Sequence, residues 1–106
     1  MNNIFSNIPD QLPEELFTSL LKQDKIHIER IVSQGHSTPS GQWYDQIQDE
    51  WVLVIQGQAE LLYQQPLQKI TMNAGDSVFI PAHTKHRVEW TSPDRQTIWL
   101  AVHIYQ

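Results

Sequence analysis

A chain of 106 residues and 12.4 kDa is the size of one domain, able to bury roughly two thirds of its unfolded surface in a single core. Its net charge is -5, and its seven Lys and Arg are scattered, so the basic stripe of a nucleic-acid binder is missing. The absence of cysteine excludes disulfides, thiolate zinc sites and cysteine nucleophiles, and makes a reducing cytoplasm the expected compartment.

The N-terminal "MNNIFSNIPDQ" has neither the basic nor the apolar region of a signal peptide, and no later window approaches the ~20 apolar residues of a membrane span. A soluble, unexported protein is expected. Next, "LPEELFTSLLKQ" sets Leu12, Leu16, Phe17, Leu20 and Leu21 near helical spacing. With Pro13 suited to a first helical position and Glu14 and Glu15 in the first turn, this predicts a short helix from Pro13 to Lys22.

The period then changes to two. In "KIHIERIVS", Ile26, Ile28 and Arg30 take one side and His27, Glu29 and Ile31 the other, which predicts an edge-like strand with His27 facing solvent beside Glu29. "QGHSTPSGQ" reads as a loop carrying His36, and "EWVLVIQG" as a strand covered on both faces. The strands "AELLYQQ", "KITMNAG", "DSVFIPA", "HRVEWTS" and "QTIWLAVHI" follow, separated by turn signals. The pattern predicts an all-β sandwich or barrel in one domain, with residues 1–24 as an N-terminal arm and short helix and 25–106 as the β-barrel.

Gly57 and Gly75 fall where tight turns need a permissive backbone, and Pro81 ends the strand "SVFIP" because it cannot donate to a ladder. By alternation Glu50, Val52 and Val54 share a face, as do His86, Val88 and Trp90, and as do Trp99, Ala101 and His103. If these faces point inward, a carboxylate and an imidazole meet at the barrel mouth, a sensible beginning for a metal site. The abundant aromatics Trp43, Tyr44, Trp51, Trp90 and Trp99 suit core filling, with one or two left to line a pocket and at least one tryptophan outward.

Glu50 followed by Gly57, then Gly75, Pro81 and His86, resemble the two signature motifs of the cupin superfamily, small double-stranded β-helix (jelly-roll) barrels. The family's first motif is a glycine, a His-x-His pair, a glutamate and a closing glycine; its second is a glycine, a proline, a further glycine and a histidine. The resemblance covers Trp43 to Val88 by motif. It departs in two places: the His-x-His pair would fall on Trp43 and Asp45 or on Tyr44 and Gln46, and His83 replaces the inner glycine.

The resemblance implies a divalent metal at the mouth, zinc, iron, manganese or nickel, rebuilt here on Glu50, His86, His83 and Asp45. Tyr44 or His103 would then be the proton-transfer group of a dioxygenase, isomerase, decarboxylase or lyase. The alternative is a metal-free, non-catalytic pocket for a small molecule, with Glu50 bonded to Tyr44 or Gln46 and His83 exposed. Either way the expected partner is a small organic ligand, and family analogy adds a homodimer; neither nucleic acid nor membrane is expected.

Overall fold

The computed structural model describes residues 3–106. Eight strands form two antiparallel sheets: β1 (Leu16–Lys22), β2 (Ile26–Ser33), β3 (Asp49–Gln56), β4 (Gln58–Gln64), β5 (Leu67–Asn73), β6 (Ser77–Ile80), β7 (His86–Thr91) and β8 (Thr97–Ile104). One sheet has the order β1-β2-β8-β3-β6 and the other β5-β4-β7. β8, the last strand, lies between β2 and β3, so the ends of the chain close the same sheet.

No helix occurs among the described residues, and none therefore is long and apolar enough to cross a membrane. The segment expected to be helical from Pro13 to Lys22 holds β1 instead, paired with β2 from Leu16↔Val32 to Lys22↔His27. Its leucines satisfy both periods: Leu16, Thr18 and Leu20 are half-buried while Phe17, Ser19 and Leu21 are exposed. A segment this short is marginal as an isolated helix, and pairing with β2 supplies hydrogen bonds that local propensity does not outweigh. β2 consequently is not an edge strand, and the barrel sheet begins at Leu16.

The chain changes sheets at glycines. Gly57, with φ of 92°, joins β3 to β4, and Gly75, with φ of 93°, lies between β5 and β6. Both φ values belong to the left-handed region that glycine enters without steric cost. Between the sheets lies the core of Val52, Val54, Ala59, Leu61, Met72, Ile80 and Trp99. Truncating one of these larger side chains to alanine would cost about 2–5 kcal/mol.

A bulge in the β4–β7 ladder between Glu60 and Leu61 shifts the register, so that Glu60 faces Trp90 but Leu61 faces Val88. The extra residue breaks the alternation expected along "HRVEW": His86 and Val88 line the interior, while Trp90 turns outward and is exposed. The long β2–β3 connection closes over β7. Arg87 donates to the carbonyls of Thr38 at 2.7 Å, Pro39 at 3.2 Å and Gln42 at 3.4 Å, and packs over the Trp43 ring.

Candidate functional site

β3 and β8 bring Glu50 opposite His103, Val52 opposite Ala101 and Val54 opposite Trp99, so one face runs from a polar end to an aromatic one. β7 delivers His86 at its first residue, where the loop after Pro81 has just turned the chain back. Beyond the strands, Tyr44 and His86 exchange backbone hydrogen bonds, N to O at 2.8 Å and 3.2 Å, which docks the end of the long connection as a further strip of wall. Alternation from Tyr44 turns Gln46 inward and Asp45 outward. Of the two placements open for the missing His-x-His pair, Tyr44 and Gln46 are the ones that face the interior.

The result is a cavity of about 130 Å³. Val52, Leu61, Ile80, Val88 and Trp99 form its apolar wall; Glu15, Glu29, Glu50, Tyr44, Gln46, His86 and His103 form its polar part. Glu50, His86 and His103 are only 8 %, 5 % and 7 % exposed, unusual burial for ionisable groups, and of the three only His103 has a partner on each polar atom of its ring.

Each imidazole is oriented differently. His86 Nδ1 donates to the Thr84 carbonyl at 2.8 Å, leaving Nε2 aimed at the cavity, where Glu50 Oε1 at 4.0 Å is beyond hydrogen-bond reach. Tyr44 stacks on its ring at 5.5 Å. His103 Nε2 donates to Glu29 Oε1 at 3.0 Å, and Gln48 contacts Nδ1 at 3.2 Å. That bond to Glu29 is the main cause of a raised His103 pKa, opposed by burial and aided by the charge of Glu50.

Burial pushes the Glu50 carboxyl up, and the nearby imidazoles of His103 and His86 only partly offset it. The phenols of Tyr44 and Tyr63 are raised for the same reason, with the Glu15 and Glu50 carboxylates adding to burial at Tyr44 and Glu50 at Tyr63. A second line of contacts supports the aromatic end: Trp99 Nε1 donates to Ser33 Oγ at 3.2 Å, and Ser33 Oγ donates to Glu15 Oε2 at 2.5 Å.

Thus Glu50, His86, Tyr44 and His103 share the cavity, whereas Asp45 and His83 lie outside it. These two pair with each other at the surface, Nδ1 to Oδ1 at 3.0 Å. His36 also lies elsewhere, accepting from the Gln34 amide and donating to the Pro13 carbonyl, and His27 contacts Ser19. Glu15, Glu29 and Gln48 were not singled out by sequence. The inward alternation of Glu29 with Ile31 was readable, but β2 taken as an edge strand sent it to solvent.

His83 replaces the inner glycine yet keeps its backbone conformation, φ of 61°, with its amide donating to the Gln46 carbonyl at 2.7 Å. A residue with a Cβ is held there at a cost of about 1–2 kcal/mol. His83→Gly is expected to raise stability by about 1 kcal/mol, because the exposed Asp45 pair it gives up contributes little. Thermal unfolding would show it as a rise of roughly 4 °C, and a fall would contradict the strain account.

The donors do not fit a resident divalent ion. His103 is engaged on both nitrogens, His86 on Nδ1, Glu15 by Ser33 and Glu29 by His103, which leaves Glu50 and His86 Nε2 as the unengaged ligand groups of the cavity's acid and imidazole side chains. Among the described residues no group of three or more His, Asp or Glu side chains is arranged to hold a metal.

The sequence model of the Cupin domain matches residues 31–103. The chain is a cupin. No curated protein matches this cupin. Among solved structures, it is similar to a protein of Ralstonia eutropha JMP134 named provisionally as a mannose-6-phosphate isomerase, at 42% identity and a TM-score of 0.95 over 100% of this chain and 98% of that one. A cupin superfamily protein of Desulfitobacterium hafniense DCB-2 shares 21% identity and a TM-score of 0.77, covering 93% of this chain and 84% of that one. A polyketide cyclase of Streptomyces resistomycificus shares 19% identity and a TM-score of 0.74, covering 89% and 67%. The last two likenesses concern the fold alone.

Proposed function

We propose that this cupin binds a small organic molecule in its barrel cavity without a metal ion. The observation that carries this reading is the convergence of buried Glu50, His86 and His103, the last paired with half-buried Glu29, on an apolar-walled cavity where Tyr44 and Gln46 occupy the usual metal-ligand positions. Buried polar groups facing a hollow need partners, and a ligand supplies them. Calorimetric titration of zinc, manganese and nickel into the protein is expected to give no saturable binding in the micromolar range. Micromolar binding that disappears in Glu50→Gln or His86→Ala would restore the metal reading.

A second reading, proton transfer on the bound molecule, is favoured by one feature. His86 turns an Nε2 without a hydrogen-bond partner towards the space that the Glu50 carboxyl also faces, 4.0 Å away, and burial raises the proton affinity of that carboxyl, so two groups able to exchange a proton face the same space. Such a pair suits an isomerisation, the activity for which the Ralstonia relative is named. Incorporation of solvent deuterium into a bound carbonyl compound, abolished by His86→Ala, would separate catalysis from binding alone.

Two copies are part of the proposal. β1 and β6 are the outer strands of the larger sheet and expose Phe17, Leu21 and Phe79. Light scattering at micromolar concentration should give roughly twice the 12.4 kDa chain mass. A monomer at all concentrations would remove the dimer.

A further inference from the structure

The cavity's charges are one-sided. Glu15, Glu29 and Glu50 line it, and among the described residues no lysine or arginine does. The arginines nearest in the chain are used elsewhere: Arg30 donates to the carbonyls of Ile4 and Ser6, and Arg87 to those of the loop it pins. The charge of His103 is committed to Glu29. A phosphate group entering this space meets carboxylates and no free cation, which no phosphate site tolerates.

The free acceptors are specific. With Nδ1–H fixed on Thr84, His86 Nε2 is a bare acceptor, 5 % exposed as a residue and without a hydrogen-bond partner, and Glu50 Oε1 is a second acceptor 4.0 Å from it. Satisfying both takes a group with two protons on one atom. Two hydrogen bonds of about 2.8 Å to acceptors at that separation subtend about 90° at the donor, within reach of a tetrahedral nitrogen. An alcohol supplies one proton; a primary ammonium supplies three and also carries the charge favoured by Glu15 and Glu50, which have no cationic partner in hydrogen-bond contact.

Resting on the metal-free cavity reading, we propose that the ligand is a small primary ammonium ion, its nitrogen between Glu50 and His86 and its apolar body against Trp99 and the aliphatic wall. The volume of about 130 Å³ limits the body to about the size of benzene, which a cavity of about 150 Å³ holds.

The test is calorimetry at neutral pH with benzylamine, benzyl alcohol and mannose 6-phosphate. Benzylamine should bind at least ~10-fold tighter than benzyl alcohol, and mannose 6-phosphate should not bind. In Glu50→Gln the amine should fall to the level of the alcohol while the alcohol is unchanged, which also shows that the variant is folded. His86→Gln, which removes the Nε2 acceptor, should lower the amine preference in the same direction. If the alcohol equals the amine in the unaltered protein, if mannose 6-phosphate binds more tightly than either, or if both variants retain the preference, the ammonium assignment is overturned while the cavity reading stands. If none of the three compounds binds, the cavity reading falls and takes the assignment with it.

Discussion

Gly57→Ala is expected to destabilise the protein by about 2–5 kcal/mol, the sum of left-handed backbone strain and overpacking. At φ of 92° an added Cβ would stand 2.6 Å from the Thr97 Cα and 2.9 Å from its Cβ. Backbone cannot swing aside as a flexible side-chain tip does, and Thr97 is fully buried with its hydroxyl shared between the Gln58 amide and carbonyl. The loss is a large part of the 5–15 kcal/mol that holds a typical domain together, and should lower the unfolding midpoint by roughly 8 °C or more. Gly75→Ala is the control. Its φ is 93° but nothing lies within 4 Å of the added atom, so only strain of about 1–2 kcal/mol applies. Equal losses at the two sites would refute the Thr97 clash as the cause.

The second large effect concerns pH. The folded state holds the His103 proton more tightly than the unfolded chain does, mainly through Glu29, so its stabilisation is fully present below the ordinary value of 6.5 and is lost as pH climbs through the raised folded value. Glu50 acts in the same sense. Its burial favours the protonated carboxyl, so the unfolded chain loses this proton first, near the ordinary 4.5, and stability declines from there until the folded value is passed. The native protein therefore binds more protons than the unfolded chain in both windows, and these groups give stability a downward slope with rising pH. Tyr44 and Tyr63, raised from 10.0, extend the decline into alkali. Thermal melts should place the maximum in mild acid and fall towards pH 9. Glu50→Gln should flatten the acidic part of the slope and His103→Asn the part above neutrality; a profile that rises from pH 5 to 8 would contradict both assignments.

Seven of the eight strands were legible, since β2 and β4 to β8 follow period-two patterning and β3 a near-continuous apolar run, with turn residues between them. β1 was not, because the adjacent apolar pairs Leu16–Phe17 and Leu20–Leu21 satisfy helical and extended spacing alike, and only the partner strand decides. That one misreading propagated: without β1, β2 becomes an edge and Glu29 a surface charge, so the partner of His103 was missed. Glu50 and His86 were legible because motif spacing and strand alternation agree on them. The positions of Asp45 and His83 were not, because they depend on a single backbone bridge, Tyr44 to His86, that no local pattern announces. The outward turn of Trp90 was hidden for a related reason: a bulge is a property of two strands in register, and one strand's sequence does not contain it.

Arg87 gives this barrel a division of labour. Its guanidinium gathers three carbonyls of the long connection, with Glu89 Oε2 3.1 Å away, and so makes a piece of irregular chain behave as wall. Tyr44 and Gln46 ride on that piece, whereas Glu50, His86 and His103 belong to the ladders. The cavity wall is thus assembled from the ladders and from a stretch of connection fastened by Arg87, by the Tyr44–His86 bridge and by the His83 amide on the Gln46 carbonyl. Sequence drift between Thr38 and Gln48 can reshape the pocket while the sheets keep their register, within the limits those fastenings set.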